Sequence, residues 1–165
     1  MSKLNIYIDG NNLYRSAKEL GFEIDYKKFR VWLTQKYNTK NIYLFIGFLE
    51  ERKNFYKYLE DCGFFLVFKE AILHGGNIKG NCDAELVLKS VDDFHTKNFD
   101  KCILISNDGD FGCLIKFLID KESFELIISP DKNKCSILLR NKTNKISYLN
   151  EVYKKFSGTN KLSNT

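Results

Sequence analysis

Apolar and polar positions along the chain fall into short blocks whose period switches between that of a strand and that of a helix. The mostly apolar stretch 4–8 reads as a short buried strand and ends at Asp9-Gly10-Asn11-Asn12. Leu13, Ala17 and Leu20 then recur at helical spacing until Gly21 stops them. Asp25 is placed to cap a second helix, in which Phe29, Leu33 and Tyr37 share a face beside Trp32. That aromatic stripe belongs to a core rather than to a stacking platform. Residues 41–48 form a run rich in β-formers. Polar residues 50–54 open a third helix carrying Phe55, Leu59 and Cys62, and Gly63 ends it before a strand at 64–68. The order β-α-α-β-α-β predicts an α/β fold, a three-layer sandwich with helices on both faces of a mostly parallel sheet.

The stretch 71–81 breaks the pattern. Its glycines and asparagines, with Lys79 near the end, predict a turn or a hairpin-like excursion. Asp83 opens the next helix, with Leu86, Val87, Ser90 and Phe94 near its own face. Glu85, Lys89 and Asp92 fall near the opposite face, so Glu85 reads as solvated and paired to Lys89 four residues on. A fourth strand at 102–105 runs into Ser106-Asn107-Asp108-Gly109-Asp110-Phe111, and Leu114, Ile115, Leu118 and Ile119 mark a helix after it. A fifth strand follows at 124–128, a short helix within 131–140, an edge strand at 146–149 and a helical turn within 151–156. Residues 157–165 are small and polar, and are expected to be a disordered tail behind one domain spanning 1–156.

Composition narrows the class. A chain of 165 residues suggests one domain, long enough to bury a real core. No apolar run approaches the roughly 20 residues of a membrane span. The five cysteines are widely spaced, none in a Cys-x-x-Cys pair, and there are only two histidines, His74 and His95, so a zinc site is not expected. Scattered thiols and no evident secretion signal point to a cytoplasmic location. The net charge of +5 is uneven, because residues 131–165 hold eight Lys/Arg against two Asp/Glu. A basic end beside acidic turns suits a polyanion.

Those acidic turns carry the candidate chemistry. Asp9, Asp83, and Asp108 with Asp110 stand at three separate strand-to-helix regions. Singly, each is an ordinary helix cap or first-turn acid. Together, on one edge of a doubly wound sheet, they can converge. A cluster of carboxylates repels itself and suits a Mg²⁺ or Mn²⁺ ion, which takes oxygen ligands. Asn11 or Asn12 offers a neutral oxygen, and Lys79 and backbone N–H groups offer contacts to a phosphate. The chemistry that follows is metal-assisted hydrolysis of a phosphodiester. Lys132, Lys134, Arg140, Lys142 and Lys145 could contact phosphates farther along a nucleic acid. A binding protein without turnover is the alternative. A phosphomonoesterase of the haloacid-dehalogenase type is a weaker one, since Asn11 stands where its second acid is needed.

Ile8-Asp9-Gly10-Asn11-Asn12, Lys79-Gly80-Asn81-Cys82-Asp83 and Ser106-Asn107-Asp108-Gly109-Asp110-Phe111 together resemble the NYN domain of the PIN-like nuclease superfamily, and most closely its LabA-like branch. The likeness covers about 4–150. It implies a PIN-like α/β sandwich and a Mg²⁺- or Mn²⁺-dependent ribonuclease, with Asp9, Asp83, Asp108 and Asp110 as metal-binding and catalytic residues. Asn11, Asn12, Lys79 and Ser106 would then meet the RNA substrate. This chain has Asn107 where the last element commonly carries Gly, and Lys89 where many members carry a further acid. An exposed sheet edge or aromatic patch could support a homodimer.

Overall fold

The computed structural model describes residues 2–70, 72–74, 77–79 and 81–158, with the backbone alone for 72–74 and 77–79. Its centre is a six-stranded sheet built from β1 (Leu4–Asp9), β2 (Asn41–Phe48), β3 (Phe65–Glu70), β6 (Lys101–Ile105), β7 (Phe124–Ser129) and β8 (Ile146–Tyr148). All neighbours pair in parallel, in the order β3-β2-β1-β6-β7-β8. The two remaining strands, β4 (Ile72–His74) and β5 (Asn77–Lys79), form a separate antiparallel pair, as the glycine-rich stretch predicts.

Side-chain alternation explains the layers. Successive residues of a strand point to opposite faces. Ile6, Ile8, Ile103, Ile105 and Ile128 face one core, with Leu13 and Ala17 of α1 (Gly10–Glu19), Phe29 and Leu33 of α2 (Tyr26–Tyr37), and Leu59 of α3 (Lys53–Asp61). Tyr7, Leu104 and Ile127 face the other, with Leu86 of α4 (Asp83–His95), Leu114 and Leu118 of α5 (Gly112–Asp120), and Leu139 of α6 (Ile137–Arg140). A strand buried on both faces is mostly apolar, which is why β1 and β6 read as apolar stretches; the buried Asn5 of β1 is an exception, and its amide donates to the Tyr7 hydroxyl at 3.1 Å. Phe29, Leu33 and Trp32 are core residues, as their spacing indicates.

The chain moves from β1 outward to β3, then returns to the centre and runs the other way through β6 to β8. The strand order therefore reverses between β1 and β6, the place where open α/β sheets bind ligands beyond their carboxyl ends. Gly10 lets α1 start there. A Cβ on it would stand 2.5 Å from the Ile46 side chain and 2.6 Å from the Phe45 carbonyl oxygen on β2. A buried polar link fixes α4 on the other face. The Tyr7 hydroxyl donates to Asp93 at 2.6 Å, and Lys89 and Asn98 donate to the same carboxylate at 3.0 and 3.1 Å.

Three local expectations differ from the structure. Lys89 pairs with Asp93 rather than Glu85, because Asp93 is buried and its charge requires a partner. In α3 the inward residues are Tyr56 and Leu59, while Phe55 is partly exposed; the Tyr56 hydroxyl is tied to the Gly47 carbonyl and the Leu49 N–H, which sets that face inward. Ser157 does not open a free tail: it bridges Ile24, and the Gly158 N–H donates to the Glu23 carbonyl at 2.7 Å. Residues 159–165 lie outside the described residues. Among the described residues no helix is long and apolar enough to cross a membrane.

Two outcomes follow in thermal unfolding. Gly10→Ala should destabilise the protein by about 1–3 kcal/mol, the usual cost of overpacking, because backbone blocks one side of the new methyl. Tyr7→Phe should cost about 1.5–3 kcal/mol, the range for a hydrogen bond to a charged group. An unchanged melting temperature in either variant would remove the constraint assigned to it.

Candidate functional site

Three of the four predicted acids meet. In the β1–β6 register Ile8 stands opposite Ile105, so Asp9 comes level with Ser106 at the strand ends. By alternation Asp9 shares the face of Tyr7, which α4 covers, and Asp83 is the first residue of α4. Each of Asp9, Asp83 and Asp108 offers a carboxylate oxygen, and these oxygens all lie within 4.8 Å of one another. Asp110 sits in the 3₁₀ turn Gly109–Phe111, exposed and outside that trio, though its charge still reaches Asp83.

The capping hydrogen bonds are present and leave room for the site reading, because a carboxylate has lone pairs enough for two tasks. Asp9 accepts the Asn12 N–H at 3.2 Å and so caps α1, while its other oxygen accepts the Ser106 hydroxyl at 3.0 Å. Asp108 accepts the Asp110 N–H at 2.9 Å. Ser106 is fully buried, and its oxygen also accepts the Asp108 N–H at 3.0 Å. It therefore lies beneath the carboxylates and fixes Asp9 and Asp108 relative to each other. Asn12 is half-buried, and its side-chain oxygen accepts the Asn107 N–H at 2.9 Å. Asn11 is exposed. The Lys79 side chain lies outside the described residues.

Electrostatics single out Asp83. Burial first, then the charges of Asp9 and Asp108 and contact with the Asp108 carboxylate, push its pKa up from 3.8 to about 7. Asp9 is raised as well, chiefly by burial, against the opposing pull of the Asn12 N–H and the Ser106 hydroxyl. None of the four salt bridges among the described residues involves the trio. A cluster of hard oxygen donors whose charged forms are disfavoured by burial and by one another fits a divalent cation such as Mg²⁺ or Mn²⁺.

Several residues of the site escape a reading by motif. Asn107, where a Gly is common, is 95% buried and central: its amide donates to Ser16 at 3.0 Å, and its oxygen accepts the Ser129 hydroxyl and, at 3.3 Å, the Asp131 N–H. It joins α1, β7 and the acidic turn, which a glycine has no atoms to do. Glu85 is half-buried rather than solvated, and one of its carboxylate oxygens is buried with no hydrogen-bond partner among the described residues. Arg15 and Lys134 reach the site from α1 and from the 3₁₀ turn Lys132–Lys134. With Asn12, Asn107, Asp108 and Gly109 they line a polar cleft of about 410 Å³. Helical spacing from Asn12 could have placed Arg15 at the site; the others depend on contacts distant in sequence.

The raised pKa of Asp83 predicts a pH-dependent stability. Between its ordinary value and about 7 the folded chain keeps a proton that the unfolded chain has released, so this group lowers stability as pH rises toward and through 7. In metal-free buffer, Asp83→Asn should therefore melt above the wild type at pH 8, and the gap should close at pH 5. A variant that melts lower at pH 8 would show that the carboxylate stabilises the fold.

Comparison with known proteins identifies the family and supports the fold. The family model described as "NYN domain" matches residues 3–150. The chain is 28% identical to the low amplitude and bright protein LabA of Synechococcus elongatus, across 92% of this chain and 86% of that protein. Its fold is similar to the crystal structure of a protein of unknown function from Vibrio parahaemolyticus, with a TM-score of 0.74 and 21% identity over 95% of this chain and 96% of the other. The family match spans both strand ends and the start of α4, so the chain belongs to the NYN domain family.

Proposed function

We propose that this protein is a metal-dependent ribonuclease that hydrolyses phosphodiester bonds at the carboxyl edge of its sheet. The observation that carries the reading is the trio Asp9, Asp83 and Asp108, with oxygens within 4.8 Å of one another at the point where the strand order reverses. Membership of a nuclease-like family supports it. Burying three acids together without a cation disfavours their charged forms. A site kept in that state is suited to a ligand that brings positive charge.

Asp9, Asp83 and Asp108 would hold a Mg²⁺ or Mn²⁺ ion, whose chemistry is to acidify a water and offset charge on phosphate oxygens. Ser106 and the Asn12 N–H keep Asp9 in place for that role. Asp110, exposed beside Asp83, is placed to orient water or take its proton. Arg15 and Lys134, on the polar cleft that includes Asp108, supply contacts to phosphates on one side of the scissile bond. Lys134 is the member of the basic C-terminal group that reaches this cleft. Asn12 and Ser106 act by positioning, while Asn11 is free to meet the substrate.

The test is cleavage of end-labelled single-stranded RNA in Mn²⁺, in Mg²⁺ and in EDTA, with Asp108→Asn alongside. Cleavage should need metal. The variant should lose at least the roughly 10–100-fold that removal of even an outer partner costs a metal site. Mn²⁺ should also raise the melting temperature of the wild type, by linkage of binding to folding, and leave that of the variant unchanged. RNA binding without cleavage in either metal would instead make the protein a binding or regulatory module.

A further inference from the structure

Two clefts meet at the first turn of α1, directly after Asp9. Asn12 lines the polar one already described, and Asn11 lines the other. This second cleft has a volume of about 750 Å³, within the usual range for ligand sites. Gly10 and Asn11 form the end next to Asp9, and aromatic side chains form much of the rest. Tyr14 is 53% exposed, Phe55 38% and Tyr58 43%, so three ring systems open to solvent in one concavity. Concentration of exposed apolar surface in one place marks a binding site.

The rings are held in place. Tyr26 meets Phe55 edge-on at 5.8 Å, and Phe55 stacks on Tyr58 at 6.4 Å. The Tyr56 hydroxyl donates to the Gly47 carbonyl and accepts the Leu49 N–H, both at 2.9 Å. Cations accompany the aromatics: Lys18 lies 5.9 Å from the Tyr14 ring, and Arg52 lines the same cleft. Neither is in a salt bridge among the described residues. Of the two acids on the lining, Asp25 is engaged in capping α2, where it accepts the Lys28 N–H at 3.1 Å.

Fixed aromatic faces with free cations at their edge suit a nucleobase and the phosphates on either side of it. The Gly10 and Asn11 end of the cleft also follows directly on Asp9 in the chain, one of the carboxylates to which a phosphodiester is assigned above. We infer that it is a base-stacking subsite, which receives an unpaired base of the RNA strand whose phosphodiester lies at Asp9, Asp83 and Asp108. The substrate is then single-stranded across the first turn of α1, with a base on the Tyr14 and Phe55 side and phosphates on the Arg15 and Lys134 side. A base in a duplex is already stacked and paired, and cannot enter. This inference rests on the ribonuclease reading and deepens it.

The experiment measures equilibrium binding in EDTA, so that cleavage plays no part. Two strands of equal length are compared: a single-stranded RNA, and an abasic strand with the same phosphates and no bases. Tyr14→Ala and Phe55→Ala should each weaken binding of the RNA by about tenfold and leave the abasic strand unaffected. Tyr14→Phe should keep wild-type affinity, and Leu88→Ala, 71% exposed on α4, should change neither strand. Equal losses on the two strands would reduce the aromatics to a general effect and overturn the subsite. Full retention on both would assign the cleft to another ligand, such as a protein segment, and overturn it as well. If metal-dependent cleavage persists in that case, the ribonuclease reading stands without the stacking; if the wild type binds no RNA at all, both fall together.

Discussion

Three carboxylates are held close enough to repel one another, and much of the surrounding structure serves to keep them there. Two unit charges about 4 Å apart repel by roughly 4 kcal/mol at the effective dielectric of a protein surface. Among the described residues the chain meets this chiefly with neutral donors, to which the charge of Arg15 adds at Asp9. The Ser106 hydroxyl and the Asn12 N–H donate to Asp9, and the Asp110 N–H donates to Asp108. The start of α1 adds the positive end of a helix dipole beside Asp9. Among the described residues no such donor reaches the Asp83 carboxylate, and it is the one pushed up to about 7. The strain of the cluster is thus concentrated on the acid contributed by α4.

Holding α4 in register is therefore as important as shaping the strand ends. Asp93 lies nearly three turns along that helix and receives hydrogen bonds from Tyr7, Lys89 and Asn98. Tyr7 stands two residues before Asp9 on the same face of β1. One strand thus presents one acid of the trio and anchors the helix that carries another. Asn107 does the corresponding work on the other core, joining α1 and β7 to the turn that holds Asp108. Lys89 belongs to this support. It pairs with Asp93 and lies 4.7 Å from the Tyr43 ring, and so helps to hold the helix.

The first turn of α1 divides the surface by chemistry. Asn12 turns toward the polar cleft, with Arg15 and Lys134, and Asn11 toward the aromatic one. A polymer that alternates charged phosphates with flat apolar bases matches that division better than a small phosphate ester would. The aromatic stripe of α2 is not part of it. Phe29 is fully buried and Trp32 packs against the same core, whereas Tyr14 and Phe55 belong to faces whose period leaves them at the surface.

Local pattern in the sequence determined the strands, the helices, the parallel sheet and the turns where acids would stand, because doubly covered strands are mostly apolar and helices repeat every three to four residues. It also identified Asp9, Asp83 and Asp108, since each follows or opens an element at a recognisable boundary. The tertiary structure decided the rest. Asp110 lies beside the trio rather than in it, because the turn after Asp108 directs it to solvent. Ser106 is a buried brace, Asn107 a hub and Glu85 a half-buried acid, all through contacts with residues remote in sequence. Whether a polar side chain faces a ligand or a neighbour depends on which strands become adjacent, and no local period carries that information.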